Sequence, residues 1–390
     1  MHWKGTLLTT LALLAFAAEN PKLPPPYATP SANNRPRVIA QPQGAKLNVP
    51  AGFQMEVWSD DGYVRPRYMI LGPSNEVILA DSAPRPQGTI YVFAPGQKTP
   101  KKIIEGLYQP YGLAMHEGYL YVGESDSVKR YKYDSKALTA GPGQEIISLK
   151  GVDTHHWTRS LLIDRAGKKI YVGVGSGSNS SPGEDPRRAA ISRYNLDGTG
   201  HEIFASGLRN PIGIHWYPGT DTLWAAVQEH DDLGDDLVPD YFTHVQQGGF
   251  YGWPFAYIGP NEDPTNKGLA PALVKKTIVP DVLLGAHRAV LDFVFYTGNQ
   301  FPAEYRNGAF LALHGSWNRS KRVGQSIAFV PFKDGKPAGE LREVVTGWML
   351  GPDSRDVWGR PVALLQMPDG SLLVSEDGNK RIWRLSYKGK

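Results

Sequence analysis

The chain has no cysteine among its 390 residues. That absence excludes disulfides, zinc–thiolate sites and a covalently attached c-type haem. Charge of one sign is lacking too. Forty-two Lys and Arg stand against 38 Asp and Glu, a net charge of +4, and the basic residues are dispersed. A nucleic-acid surface would need them clustered. No window carries a long 3.6-residue apolar period, so long amphipathic helices are not expected. What is plentiful is glycine and proline, 43 and 32 residues, as suits many short strands joined by turns.

The N-terminus reads as an address. Met1, His2, Trp3 and Lys4 form a short positive region, followed by an apolar run from 5 to 18 with small residues at Ala15, Ala17 and Ala18. This is expected to be a secretory signal peptide over 1–18, cleaved near Ala17 or Ala18. The run is shorter than the roughly 20 residues a spanning helix needs, so no membrane span is expected after cleavage. Residues 19–40 are rich in Pro, Asn and Ala and are expected to form a flexible leader. A single domain over 41–390 is expected to follow.

Within that domain one plan recurs: a strand, a tight polar turn, a second strand, then a polar loop. It is visible at 69–81, 112–124, 161–174, 213–227 and 362–376, and less clearly at 308–314 continuing into 326–332. Third strands run outward at 88–93, 128–133, 189–194 and 381–387. Six such units point to an all-β fold, a six-bladed β-propeller of four-stranded antiparallel blades. Residues 47–58 could supply the outer strand of the last blade and close the ring, leaving no long open sheet edge. A β-sandwich, or two β-domains, is the alternative. The long irregular stretches are 176–188, 228–248 and 257–289. Loops of that length in a compact domain are usually functional or ordered by a ligand.

Four groups of residues could carry chemistry. The turn T-H-H-W-T-R-S holds His155, His156, Trp157 and Arg159 just before a strand. Imidazole is the commonest general base near neutral pH, and the turn alone does not choose between His155 and His156. In G-L-R-N-P-I-G, Pro211 forces Asn210 to be extended, which lifts Arg209 and Asn210 from a blade entrance. From 229 to 240, six acids cluster: Glu229, Asp231, Asp232, Asp235, Asp236 and Asp240. A flexible oxygen-rich loop of this kind suits Ca²⁺, although it lacks the EF-hand spacing. Finally, Arg67, Arg209 and Arg360 each open a unit in the same register. Equivalent positions on propeller blades converge on one mouth, so these cations imply an anionic ligand of several charges. Arg319 and Arg322 follow H-G-S-W-N nearby in sequence.

The ordered set P-R-Y-M, H-W-T-R-S-L, Y-V-G-V-G-S-G-S-N, G-L-R-N-P-I-G, L-G-D-D-L-V-P-D, G-G-F-Y-G-W-P, H-G-S-W-N-R and G-R-P-V-A spans the chain from Arg67 onward. It resembles the soluble quinoprotein sugar dehydrogenases, in particular their sorbosone and pyranose dehydrogenase branch. The resemblance implies a propeller holding pyrroloquinoline quinone (PQQ) and Ca²⁺ at the channel mouth. It implies oxidation of an aldose or related sugar aldehyde by hydride transfer to the quinone. His156 would be the base, and Arg209, with Asn210 beside it, would stabilise charge on the quinone oxygen. Arg67, His314, Arg322 and Arg360 would hold PQQ. Glu229 and the backbone around His230 and Asp231 would face the catalytic Ca²⁺; Asp240 and a carbonyl near Tyr251 would suit a second, structural ion. Two departures stand out: Tyr241 where the family often has Glu after Pro-Asp, and His155 where relatives carry Asp or Gly. The expected location is periplasmic or secreted. Without haem-attaching cysteines, electrons would pass to a separate acceptor, a cytochrome or a quinone. Two rival readings share the fold. One is a Ca²⁺-dependent lactonase-like hydrolase. The other is a cofactor-free glycan-binding propeller using Trp157, Trp253 and Trp317.

Overall fold

A computed structural model of the protein describes residues 21–389; the expected signal peptide lies outside them. Six antiparallel sheets follow one another along the chain, each with four blade strands, the fifth carrying an additional two-residue strand, Lys336–Pro337. Their innermost strands are Pro66–Leu71, Leu113–His116, Arg159–Ile163, Asn210–Trp216, Val290–Tyr296 and Pro361–Gln366. The result is the expected six-bladed propeller, and the ring closes as expected too. Phe53–Ser59 pairs antiparallel with Arg381–Tyr387, Phe53 opposite Tyr387 and Val57 opposite Trp383.

Position within a blade dictates sequence pattern. A second strand lies between neighbouring blades and is covered on both faces. Val77–Asp81 is buried at every position and accordingly reads as a continuous run, V-I-L-A, rather than alternating. The third strand Ser127–Asp134, nearer the rim, begins to alternate buried with exposed, as a half-solvated strand should. The core consists of seams between blades. In one seam Met69, Val77, Leu79 and Phe93 of the first blade meet Leu373 and Ile382 of the sixth. Each such side chain contributes about 1.5–3 kcal/mol on burial.

Two expectations are corrected. In the fifth blade, 308–314 and 326–332 are the second and third strands; the innermost is Val290–Tyr296. Its turn to the second strand is a long excursion, 297–307, with no compact Pro-Asp-Gly signal, so the strand merged with the irregular stretch before it. The second correction concerns the leader, as far as it is described. Residues 21–40 are not free: Tyr27 and Asn34 donate backbone bonds to Leu233 and Trp317, and Arg37–Val38 pairs in parallel with Asp356–Val357. No helix among the described residues is long and apolar enough to cross a membrane.

Candidate active site

The loops that enter the innermost strands gather at one mouth of the channel. The His turn is built around Arg159, a fully buried guanidinium. Its Nη1 donates to His156 O at 2.8 Å and Thr158 O at 2.6 Å, and its Nη2 donates to Val152 O. Burial pulls its pKa down to about 9. His156 Nδ1 lies 2.8 Å from Ser176 O. A carbonyl only accepts, so Nδ1 carries the proton and Nε2 keeps its lone pair. Burial, with the Arg209 and His155 charges, pushes the His156 pKa well below its ordinary value. The choice left open by sequence is thereby narrowed: His155 is exposed at a left-handed φ of 61° and has no such anchor. Gly175 sits behind the pair. A Cβ there would overlap Asn210 Oδ1 and lie 2.6 Å from His156 Cβ.

Arg209 is buried and fully engaged. It donates to Glu229 O at 2.6 Å, to Asn179 O and Oδ1 at 3.2 and 3.0 Å, and to Asp231 Oδ2 at 3.3 Å. The other oxygen of Asp231 faces His287 Nδ1 at 3.3 Å. Burial opposes ionisation of Asp231, but His287 and Arg209 hold its pKa below the usual value. His155, His156, Arg209, Asp231 and Arg360 line one cavity of about 560 Å³, together with Asn179, Asp232, Trp317 and two residues of the N-terminal segment, Arg35 and Pro36.

Arg67 and His314 are not among the lining residues. Both converge on Asp377, which sequence reasoning missed. Arg67 Nη2 bonds one carboxylate oxygen and His314 Nε2 meets the other at 2.8 Å. Burial would push Asp377 up, but Arg67, His314 and Arg360 hold it well below the carboxylate range. Burial and the Arg360 charge bring His314 down to about 4. The Arg67 guanidinium also lies over Trp157, 5.0 Å from the ring centroid, a favourable cation–π distance. Arg360 faces the cavity without an ion pair to any described residue; Nε donates to His314 O at 3.3 Å. Burial lowers its pKa to about 10. A half-buried cation with no ion pair of its own, its nearby carboxylate Asp377 being bonded by Arg67 and His314, suits a carboxylated ligand.

The remaining expected residues sit elsewhere. Arg322 is buried away from the cavity. Its donors go to Ser316 O, Ser354 O and Asn34 O at 2.6, 3.0 and 2.7 Å. Asn210 Nδ2 bonds Gln228 Oε1 at 3.1 Å while its buried Oδ1 has no partner. The side chains of the five residues expected around the two calcium ions are engaged in separate contacts. Both Asp240 oxygens accept backbone N–H groups, from Glu229 at 2.9 Å and Ala289 at 2.6 Å. His230 Nε2 lies 2.6 Å from Asp263 Oδ2, and the Tyr251 hydroxyl donates to His244 O at 2.8 Å. Glu229 Oε1 is buried and unpartnered, and burial raises that carboxyl to about 8. Among the described residues no group of three His, Asp or Glu could hold a metal ion, so these side chains do not fit a preformed ion site.

The profile of the TrAA12-like family matches residues 47–240 and 262–388. The chain belongs to that family. The resemblance read from the ordered motifs is borne out by other TrAA12-like and quinoprotein neighbours. The PQQ-dependent pyranose dehydrogenase of Coprinopsis cinerea is 23% identical over 354 residues, 73% of this chain but 47% of its own length. This chain thus spans about half of that relative. The holo PQQ domain of the same organism's pyranose dehydrogenase superposes with a TM-score of 0.73 at 20% identity, over 88% of this chain and 97% of that domain. A calcium structure of the Trichoderma reesei AA12 protein gives 0.74 at 19% identity, over 95% of this chain and all of that one.

Proposed function

We propose that this TrAA12-like protein is a PQQ- and calcium-dependent dehydrogenase, periplasmic or secreted, that oxidises an aldose or related sugar aldehyde and passes electrons to a separate cytochrome or quinone. The observation that carries the reading is one cavity holding an imidazole fixed as a neutral acceptor beside the guanidinium groups of Arg209 and Arg360, with that of Arg35 at its rim. Calcium enters through the relatives, one of which was solved with it. The donors expected for it include backbone carbonyls around His230 and Asp231, and the steps below rest on side chains alone.

Arg360 would hold a PQQ carboxylate, with Arg209 beside the quinone. PQQ, when bound, would supply the two-electron acceptor that no side chain provides. His156 Nε2 would take the proton from a substrate hydroxyl as the same carbon gives up hydride, so the C–OH becomes a carbonyl. Ser176 O fixes the ring's tautomer, and Arg209, pinned at four points, would stabilise developing negative charge without reorganising.

The test is reconstitution of the purified protein with PQQ, with and without Ca²⁺, followed by quinone absorbance and by dye reduction over a panel of aldoses. Saturable binding with sugar-driven reduction is expected. His156→Ala should still bind PQQ while turnover falls about 10²–10⁴-fold. A protein that takes up no PQQ would end the quinoprotein reading in favour of a glycan-binding propeller.

A further inference from the structure

The N-terminal segment is fastened across the mouth at many points. The Thr29 hydroxyl accepts from Asp235 N at 2.7 Å, and Ala32 O accepts from Asn318 Nδ2 at 3.0 Å. Asn34 Nδ2 donates to Ser320 O at 2.9 Å, and buried Arg322 spends part of its fork on Asn34 O. Beyond the cavity, Arg355 Nε donates to Arg35 O at 3.0 Å, and Arg37 pairs with Asp356 at 2.5 and 2.8 Å. Arg35 and Pro36 are thus gripped on both sides, and both face the cavity that holds His156.

The Arg35 side chain is exposed and lies over the Trp317 ring, 5.2 Å from its centroid. It forms no ion pair with a described residue. Asp232, on the same rim, uses Oδ1 to accept from Asn318 Nδ2 at 3.0 Å, and its Oδ2 has no hydrogen bond to a described residue. The rim therefore offers a planar fork of donors, a free carboxylate oxygen and an aromatic wall. This combination suits vicinal hydroxyls: the fork spans two oxygens, and the carboxylate accepts an O–H.

We propose that the N-terminal strap is part of the substrate site, and that Arg35, braced on Trp317 and sharing the rim with Asp232, binds the hydroxyls of a neutral sugar. The assignment rests on the sugar-oxidising reading for its kinetics but not for its binding. A contact made equally strongly in the ground and transition states raises KM when it is lost and leaves kcat unchanged, and that is the behaviour assigned to Arg35.

The experiment compares wild type, Arg35→Ala and Arg35→Lys, none of which alters the strap's backbone bonds. In the PQQ-loaded protein, Arg35→Ala should raise KM for the best aldose about tenfold with kcat within about twofold, and Arg35→Lys should fall between. The PQQ titration should be unchanged. Loss of PQQ affinity would assign Arg35 to the cofactor instead, and an unchanged KM would remove the strap from the sugar site; either result overturns the proposal. Calorimetry of the same proteins without PQQ, titrated with glucose, xylose and galactose, separates this from the dehydrogenase reading. If wild type takes up no PQQ, weaker sugar binding by Arg35→Ala still sustains the strap, while equal affinity, or no sugar bound by any of the three, overturns it.

Discussion

At the residue scale, the candidate base is defined by what its other nitrogen does. Because His156 Nδ1 is spent on Ser176 O and burial disfavours the imidazolium, the ring stays neutral well below pH 6.5. The acid limb of kcat/KM for the PQQ-loaded enzyme is therefore expected below that pH; a pH–rate profile with a limb at or above 6.5 would remove His156 as the base. Its position depends on a missing side chain. Gly175→Ala would force Asn210 or His156 aside. Because an error near 1 Å can lower rate about 10²-fold, kcat is expected to fall at least tenfold while the thermal melt shifts only a few degrees. Retained kcat would show that the pair tolerates displacement. The lining arginines Arg209 and Arg360 were legible because they share a register at blade entrances. Asp377 was not legible. The arginine that it anchors, Arg67, is 310 residues away, and S-E-D-G-N offers two acids with nothing in the pattern to choose between them. Once Arg67 and His314 are bonded to it, their place outside the cavity lining follows from that carboxylate and not from their own positions in sequence.

At the element scale, the exits of the second strands repeat a device. Asp81 accepts backbone N–H groups from Val64, at 2.9 Å, and Arg65; Glu124 accepts from Tyr108 at 2.7 Å; Glu376 accepts from Arg360 at 3.2 Å. In each case an acid ending the second strand holds the loop that enters the innermost strand of its own blade, and so fixes the mouth. The acids were visible in L-A-D, V-G-E and V-S-E, but their partners were not, since the bond crosses the hairpin. The second strands of the third, fourth and fifth blades end at Val174, Gln228 and Leu313 instead, so three of the six blades carry the device. The device carries a stability penalty with a definite sign. Burial raises Glu376 from 4.5 to about 7, so the folded protein retains a proton that the unfolded chain releases. Stability from this group is full below pH 4.5 and declines as pH rises to 7, by about 3 kcal/mol in total. Gln cannot ionise. Glu376→Gln is expected to melt close to wild type at pH 5 and higher above pH 7. Melts from pH 5 to 9 decide it, since a difference independent of pH would mean that Glu376 does not titrate with folding.

At the scale of the whole molecule, the two ends of the chain meet in one blade. Blade repetition made the propeller readable, and the L-N-V-P-A-G-F-Q-M-E-V-W stretch announced the strand that closes it. The strap ahead of it was unreadable, because its Pro- and Asn-rich composition is that of a disordered leader. Its order comes from loops near 233, 317–322 and 355–357. These two N-terminal segments do different jobs. The closing strand covers the edge of Arg381–Tyr387, and Phe53 packs edge-to-face on Phe301, Tyr305 and Tyr387 with centroids 4.9 to 5.1 Å apart. Without it, an apolar strand edge and three aromatic rings are bared, which is a template for pairing between molecules. The strap covers no strand edge of the blades; its loss mainly strands the Arg322 guanidinium and opens the cavity wall. A chain beginning at 41 is therefore expected to melt lower than wild type but cooperatively, and to remain monodisperse in light scattering. A chain beginning at 61 is expected to aggregate. If the longer truncation stays monomeric and melts as the shorter one does, the ring is held by its blade seams alone and the closing strand is dispensable.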